Sequence, residues 1–274
     1  MARATHSLGE FLRSRRARLT PEAAGVVSYG ARRVPGLRRE ELAQLAGVSA
    51  TYYTRLEQGH SVNASRSVLD ALARALQLDE DERRHLHTLA QPAADRRPRR
   101  SRPETASAEL EHLLAAMSDV PAVLLGRRTD VLAWNALGHR LLAGHYDADA
   151  RPNLTRMLFL DAHTRELYRD WPEEAARAIA SLRVVAGRFP DDPALEALVG
   201  ELTVKSPEFA RGWARHPVRT CVAGTKRLRH PEIGDLDLAF QVLELPDGSG
   251  QRVLAYTAAP GTPAAAALDL LRRT

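Results

Sequence analysis

Residues 39–59 constrain the fold of this chain more than any other part of its sequence. They read REELAQLAGVSATYYTRLEQG, with apolar or small side chains at the spacing of two short helices that cross at a glycine turn. Ala43 is small enough for a second helix to pass over it, Gly47 can take the left-handed conformation of the turn, and Ser49 can cap the next helix. Such a unit projects its second helix outward.

The apolar periodicity predicts five short helices in the first third of the chain. They cover residues 8–19, 38–46, 49–58, 65–76 and 79–89. Helices of this length need partners to bury their apolar faces, so the prediction is an all-α bundle of five helices.

A segment rich in proline and arginine follows the helices. Residues 92–103 read PAADRRPRRSRP and have no apolar periodicity, so we interpret 92–106 as a linker between domains at 1–91 and 107–274. Residues 1–106 hold 19 basic and 12 acidic side chains, against 20 and 22 in the remainder. The net charge of +5 therefore originates in the first part. This is compatible with nucleic-acid binding, and a compositional bias toward arginine explains it equally well.

The second part has a mixed pattern. We predict strands at 121–126 and 130–134, a helix at 135–143 and a largely helical middle through Arg211. Three strands at 218–229, 236–245 and 252–258 and a helix at 263–272 complete the chain, with Pro-Asp-Gly-Ser-Gly at 246–250 as a hairpin loop.

The stretch 39–59 resembles the helix-turn-helix of the XRE family, the phage-repressor-like DNA-binding domain. The resemblance extends over about 8–89 and rests on the spacing of Leu42, Ala43, Gly47, Val48, Tyr53, Leu56 and Glu57. It implies binding to double-stranded DNA, with the helix at 49–58 in the major groove and Tyr53 and Leu56 facing the bundle.

The resemblance also assigns roles to residues on that helix. Arg55 is expected to bond guanine, and Ala50 and Thr51 to face base edges, with Thr54 on the same exposed side. Ser49, Tyr52 and Arg39 are expected to contact phosphates. Arg39 stands where the family often has glutamine, so a phosphate contact replaces a base-adjacent amide contact there.

The second part resembles the C-terminal domain of MmyB-like regulators, over almost all of 107–272. The resemblance rests on VPAVLLGRRTDVLAWNALGHRLL, LFLDAHTRELYRDWPEEA and YTAAPGTPAAAALDLL, and on VPGLRREELAQLAGVS, which that family places before such a domain. It implies an α+β PAS-like domain with an antiparallel sheet, whose cup binds a small apolar, fatty-acid-like ligand.

Candidate lining residues for that cup are large and apolar, and candidate anchors for a head group are polar. Ordinary core packing is the commoner explanation for any one aromatic, and a surface or structural role is the commoner one for each polar anchor, with Asn135 placed to cap a helix. The candidates are Trp134, Leu158, Phe159, Trp171, Phe209, Trp213, Phe240 and Tyr256, with Asn135, His216, Arg219 and Arg229 as anchors.

The sequence offers no candidate residues for catalysis, for a metal site or for cofactor binding. Cys221 is the only cysteine, so no intrachain disulfide or cysteine zinc cluster can form, and His85 and His87 face different sides of a helix. No run of 18 apolar residues is present, so we expect no membrane contact.

We therefore expect a cytoplasmic transcription regulator that is not an enzyme and binds palindromic DNA as a homodimer. The alternative is a regulator whose C-terminal domain serves only dimerisation or binding of a protein partner.

Overall fold

A five-helix bundle occupies the first part of the chain in the computed structural model, which describes residues 8–26, 34–60, 64–91 and 104–273. Residues 92–103 of the predicted linker lie outside the described residues. Its last three residues, 104–106, pack on the second part of the chain, where Glu104 pairs with Arg127 at 2.6 Å and Ala106 contacts the apolar cluster that contains Leu114. The bundle helices are α1 (Leu8–Arg18), α2 (Arg39–Leu45), α3 (Ala50–Glu57), α4 (Arg66–Ala75) and α5 (Glu80–Leu89). All five agree with the predicted spans to within one residue.

The caps expected from the sequence define where the bundle helices begin. Ser49 Oγ accepts a hydrogen bond from the Tyr52 backbone N–H at 3.1 Å, and Asp79 Oδ1 accepts one from Glu82 at 2.8 Å. Gly47, which follows the C-cap residue Ala46 of α2, has φ +67°, which is the conformation that the turn requires. Tyr53 and Leu56 are fully buried, so the prediction that they face the bundle is confirmed.

The second part is an α+β domain built on a five-stranded antiparallel sheet of order β2-β1-β5-β4-β3. This confirms the predicted PAS-like fold class. The strands are β1 (Ala122–Leu125), β2 (Val131–Trp134), β3 (Ala223–His230), β4 (Gly234–Glu244) and β5 (Arg252–Thr257).

Helices cover both faces of this sheet. On one face, Leu114 packs with Leu124, Ala133 and Val253. The other face carries Leu238, Phe240, Leu254 and Tyr256 and packs against most of the remaining helices. The helices are α6 (Ala108–Ala116), α7 (Ala136–Ala143), α8 (Leu154–Leu160), α9 (Ala162–Leu167), α10 (Trp171–Arg188), α11 (Pro193–Lys205), α12 (Pro207–Ala214) and α13 (Pro263–Arg273).

Two predictions for the second part were wrong or incomplete. The strand predicted at 218–229 begins only at Ala223, because Val218 is buried in the apolar core of the helical bundle instead of in the sheet. Helix α6, which Ser107 caps, was not predicted.

Candidate functional site

The outward surface of α3 is narrower than the sequence suggested. Thr51 and Arg55 are exposed and lie one turn apart, so both point to the same side. Ala50 and Tyr52 are half-buried and pack on the bundle core, and Thr54 is also half-buried. The side chains most available to a partner on this helix are therefore Thr51 and Arg55.

A buried carboxylate fixes α3 to the two helices before it. Glu57 accepts hydrogen bonds from Arg16 Nε at 2.6 Å, Arg39 Nε at 2.6 Å and the Tyr53 hydroxyl at 2.8 Å. Burial alone raises the pKa of Glu57, but the hydrogen bonds from Arg16, Arg39 and Tyr53 outweigh burial and hold that pKa below its usual value. Glu57 therefore positions α3.

Arg39 forms an ion pair inside the bundle and is also partly exposed to solvent. Its Nε binds Glu57 while its side chain remains 44% exposed. Arg39, expected to contact phosphate, thus also helps to hold α3 in place. Ser49 is exposed, and its hydroxyl is engaged in the α3 cap.

In the second part, a cavity of about 110 Å³ lies between the sheet and helices α8 and α10. It is smaller than the roughly 300–1,000 Å³ of typical ligand pockets and close to the roughly 150 Å³ of a cavity that accepts benzene. Its wall combines aliphatic, aromatic, hydroxyl and charged side chains. The lining residues are Leu125, Thr129, Leu154, Thr155, Leu158, Tyr168, Glu174, Arg177, Ala178, Ser181, Cys221, Lys226, Phe240, Val242, Arg252, Leu254 and Tyr256.

One end of the cavity holds a buried ion pair, and two tyrosines, Tyr168 and Tyr256, line the same part of the wall. Lys226 Nζ pairs with Glu174 and lies 4.8 Å from the ring centre of Phe240. The buried hydroxyl of Tyr256 has no hydrogen-bond partner of good geometry. Burial raises the pKa of Tyr168 and, with Tyr168 and Glu174 as neighbours, that of Tyr256, so both phenols are neutral.

Arg252 lies at the other end of the cavity. It is four residues from Tyr256 on the same face of β5, a separation of about 13 Å along the strand. Among the described residues no carboxylate oxygen lies within 4.0 Å of its guanidinium, which donates only a 3.5 Å bond to the Gly250 carbonyl. Burial lowers the pKa of Arg252 despite the opposing influence of Glu244 and Glu104. This end of the cavity therefore presents a cation without a close counter-ion.

Three of the predicted lining residues, Leu158, Phe240 and Tyr256, do lie in the cavity wall. The other predicted aromatics lie elsewhere because they pack on each other between helices. Phe209 is 5.2 Å from Phe159 and 5.5 Å from Trp213 between ring centres, and Phe159 is 5.7 Å from Trp171. This cluster is part of the helical core that α11 helps to form.

Trp134 and the predicted polar anchors are also outside the cavity. Trp134 donates to the Ala148 carbonyl at the far edge of the sheet, and Asn135 caps α7. His216 and Arg219 belong to the connection between α12 and β3, where the His216 carbonyl accepts a bond from Arg15 and Arg219 is exposed. Arg229 is exposed on β3 and pairs with Asp235.

The polar residues of the cavity were missed at the sequence level, although a signal for two of them was present. Lys226 and Arg252 occupy inward positions of alternating strands, where an apolar side chain is the norm. A charge at such a position is unusual and marks a lining residue. Glu174 and Arg177 lie on a helix and carry no comparable signal.

Within the ranges that the structure describes, no helix is both long and apolar enough to cross a bilayer. The same residues contain no group of three or more histidine, cysteine, aspartate or glutamate side chains that could hold a metal ion.

Comparison with known families matches both parts of the chain. A helix-turn-helix domain model matches residues 7–86, and the model of the MmyB-like transcription regulator ligand-binding domain matches residues 106–271, more than half of the chain. A search of curated proteins found no match. The chain therefore belongs to the MmyB-like transcription regulators, DNA-binding proteins that carry a ligand-binding domain.

Proposed function

We propose that this regulator senses a small apolar anion of the fatty-acid kind and thereby changes its affinity for an operator that it binds as a homodimer. The observation that carries the ligand proposal is Arg252, a cation without a close counter-ion at one end of an otherwise largely apolar cavity. Arg252 is half-buried, so water solvates its charge only in part, and an opposite charge or hydrogen bonds must compensate the rest. A ligand carboxylate would compensate Arg252.

The cavity wall also suits the apolar part of such a ligand. Leu254, Phe240 and Val242 of the sheet face Leu158 and Ala178 of the helices. The volume of about 110 Å³ favours a short chain, and a longer fatty acid requires α8 and α10 to move away from the sheet.

Titration of the full-length protein with sodium hexanoate and with hexanol tests the ligand proposal. Hexanoate should bind more tightly than hexanol in calorimetry. Arg252→Gln should weaken hexanoate binding by about tenfold or more, since hydrogen bonds to charged groups contribute about 1.5–3 kcal/mol. Arg211→Gln, an exposed arginine on α12 of the same domain, is the matched control and should bind hexanoate as the wild type does.

Equal affinity for hexanoate and hexanol would contradict the role of Arg252. Failure of every alkyl carboxylate to bind, together with repeated recovery of the protein without any small molecule in mass spectrometry of extracts, would contradict ligand sensing. The C-terminal domain would then serve dimerisation or partner binding.

For the DNA-binding domain, we propose that Arg55 reads a guanine and Thr51 a neighbouring base edge. Both side chains are exposed on one side of α3, and Arg55 can form the two-bond contact that guanine O6 and N7 offer. Homodimerisation follows from the small number of base pairs that one helix can read.

Arg55→Ala should reduce affinity for a genomically selected operator by about tenfold or more, because such a contact contributes about 1–3 kcal/mol of discrimination. Its affinity for random duplex DNA should change much less. Fluorescence anisotropy at constant salt measures both, and Arg74→Ala, an exposed arginine on α4, is the control. Equal losses on operator and random DNA would assign Arg55 to the phosphate backbone.

A further inference from the structure

The connection between α12 and β3, residues 215–222, inserts into the helical bundle. Val218 is 7% exposed and belongs to the bundle's apolar cluster with Phe11 and Leu86. Two hydrogen bonds hold the chain on either side of it. The His216 carbonyl accepts one from Arg15 at 2.7 Å, and the Thr220 backbone N–H donates one to Asp81 Oδ2 at 2.9 Å.

The same connection reaches the cavity three residues later. Cys221 directly follows Thr220 and lines the cavity wall beside α10. A single short segment therefore contacts the core of one domain and the cavity of the other.

Helix α10 makes a second link between the same two places. Glu174, Arg177, Ala178 and Ser181 recur at helical spacing and line the cavity. The opposite side of the helix carries Gly187, against the imidazole of His85 in the bundle: a Cβ at Gly187 would lie 2.5 Å from His85 Cε1. Because close-packed elements shift as rigid units, a displacement of α10 at the cavity also displaces α10 at the bundle.

We propose that residues 215–222 and α10 transmit occupancy of the cavity to the DNA-binding bundle, with Val218 as the contact that couples the two. The proposal rests on the proposed function in that a ligand is what fills the cavity. Filling the cavity pushes Cys221 and α10 away from the sheet and shifts Val218 and its hydrogen-bonded neighbours against α1 and α5. The position of α3 relative to a dimer partner changes with the bundle.

The single cysteine allows a test that needs no natural ligand. Butyl methanethiosulfonate places a butylthio group on the Cys221 sulfur as a mixed disulfide and releases methanesulfinate. Burial raises the pKa of the Cys221 thiol, so the full-length protein is labelled at alkaline pH and returned to neutral pH. Hydrogen exchange of α1 and α5 amides and anisotropy on the selected operator are then measured.

Labelling should change the exchange rates of α5 amides by about threefold or more and the operator dissociation constant by about fivefold or more. Val218→Ala should abolish most of both changes. Asp81→Ala should reduce them and provides a second variant if Val218→Ala does not fold. Glu80→Ala, an exposed neighbour on α5, should respond like the wild type, and Cys221→Ser should not respond to the reagent.

Unchanged α1 and α5 exchange in the labelled wild type would overturn the proposal. A full response in both Val218→Ala and Asp81→Ala would overturn the role of residues 215–222. Since the butylthio group is covalently attached, these results stand even if hexanoate does not bind, and failure of the proposed ligand is thereby distinguished from failure of the coupling.

Discussion

Glu57 shows how one buried side chain sets the geometry of the DNA-reading helix. Its side chain is inaccessible to solvent, and its three donors come from α1, α2 and α3 itself. A carboxylate removed from water in this way is stable only while these donors remain in place, so the network favours one orientation of α3.

Replacing Glu57 with glutamine should destabilise the protein by about 2–4 kcal/mol at pH 7, because Arg16 and Arg39 lose their buried counter-charge. The folded-state pKa of Glu57 is lowered, so its stabilising contribution is present above the unfolded value of about 4.3 and is lost as pH falls through the folded-state pKa. Urea unfolding from pH 7 to pH 3 should show the difference between wild type and Glu57→Gln shrinking below about pH 4.

Glu40→Gln is the control for this prediction, because Glu40 is exposed on α2 of the same bundle. Its effect should stay within about 0.5 kcal/mol at every pH. A destabilisation by Glu57→Gln that is constant with pH would show that shape, not charge, holds the network together.

For single residues, the sequence indicated which positions matter better than it indicated which other side chains they contact. Glu57 was one of the spaced positions of the helix-turn-helix pattern, and that spacing did not indicate which side chains would contact it. Its main partner Arg16 is 41 residues away, and no local spacing connects the two. The cavity charges were missed for the same reason, since Lys226 and Glu174 meet only through the packing of β3 against α10.

At the scale of elements, Asn135 joins three pieces of the second domain. Its Oδ1 accepts bonds from the Gly138 and Ala122 backbone N–H groups at 2.7 and 3.1 Å. Its Nδ2 donates to the carbonyls of Met117 and Val120, both at 2.7 Å. The beginning of α7, the beginning of β1 and the end of α6 are therefore fixed by one amide.

Asn135→Asp keeps the acceptor for the α7 cap but removes both donors and places a charge against two carbonyls. We expect a loss of about 3 kcal/mol, since each buried group left without its partner costs about 1–3 kcal/mol. Ser107→Ala, which removes only a cap from α6, should cost about 1 kcal/mol. Chemical denaturation of the two variants measures both losses of unfolding free energy. Similar losses would show that Asn135 contributes no more than a helix cap does.

The elements themselves were largely predictable because local patterns determine them. Caps and the Gly47 turn predicted all five bundle helices, and strand alternation predicted the five strands of the second part, whereas α6 was missed. Residues 218–222 are the informative exception. They have the alternating pattern of a strand. Val218, however, packs in the apolar cluster of the helical bundle, whose other buried members lie more than 100 residues before it, so no local pattern could reveal that contact.

For the molecule as a whole, His216 lies where the two domains meet. Its backbone has φ +49° and its carbonyl binds Arg15, while its ring faces the positive charges of Arg15 and Arg18 on α1 and of Arg183 on α10. Arg183 is itself buried over the ring of Trp213, 3.6 Å from its centre, and burial lowers the pKa of Arg183 to about 10. A proton on His216 would add a fourth charge to this group.

Acid should therefore lower the stability of the folded protein by protonating His216 at this junction. Burial, followed by the three arginines, lowers the pKa of His216 to about 4, below the roughly 6.5 of an unfolded chain. The unfolded state binds the extra proton between these values, so stability falls as pH drops from 6.5 to 4, by about 1–2 kcal/mol after allowance for partial exposure of the ring.

In His216→Asn, whose asparagine tolerates the positive φ, this part of the pH slope should disappear. Urea unfolding at pH 7.5, 6 and 5 measures the slope. His112→Asn, on the exposed side of α6, should keep the wild-type slope because His216 is still present. A wild-type slope in His216→Asn would instead place the acid sensitivity in the carboxylates.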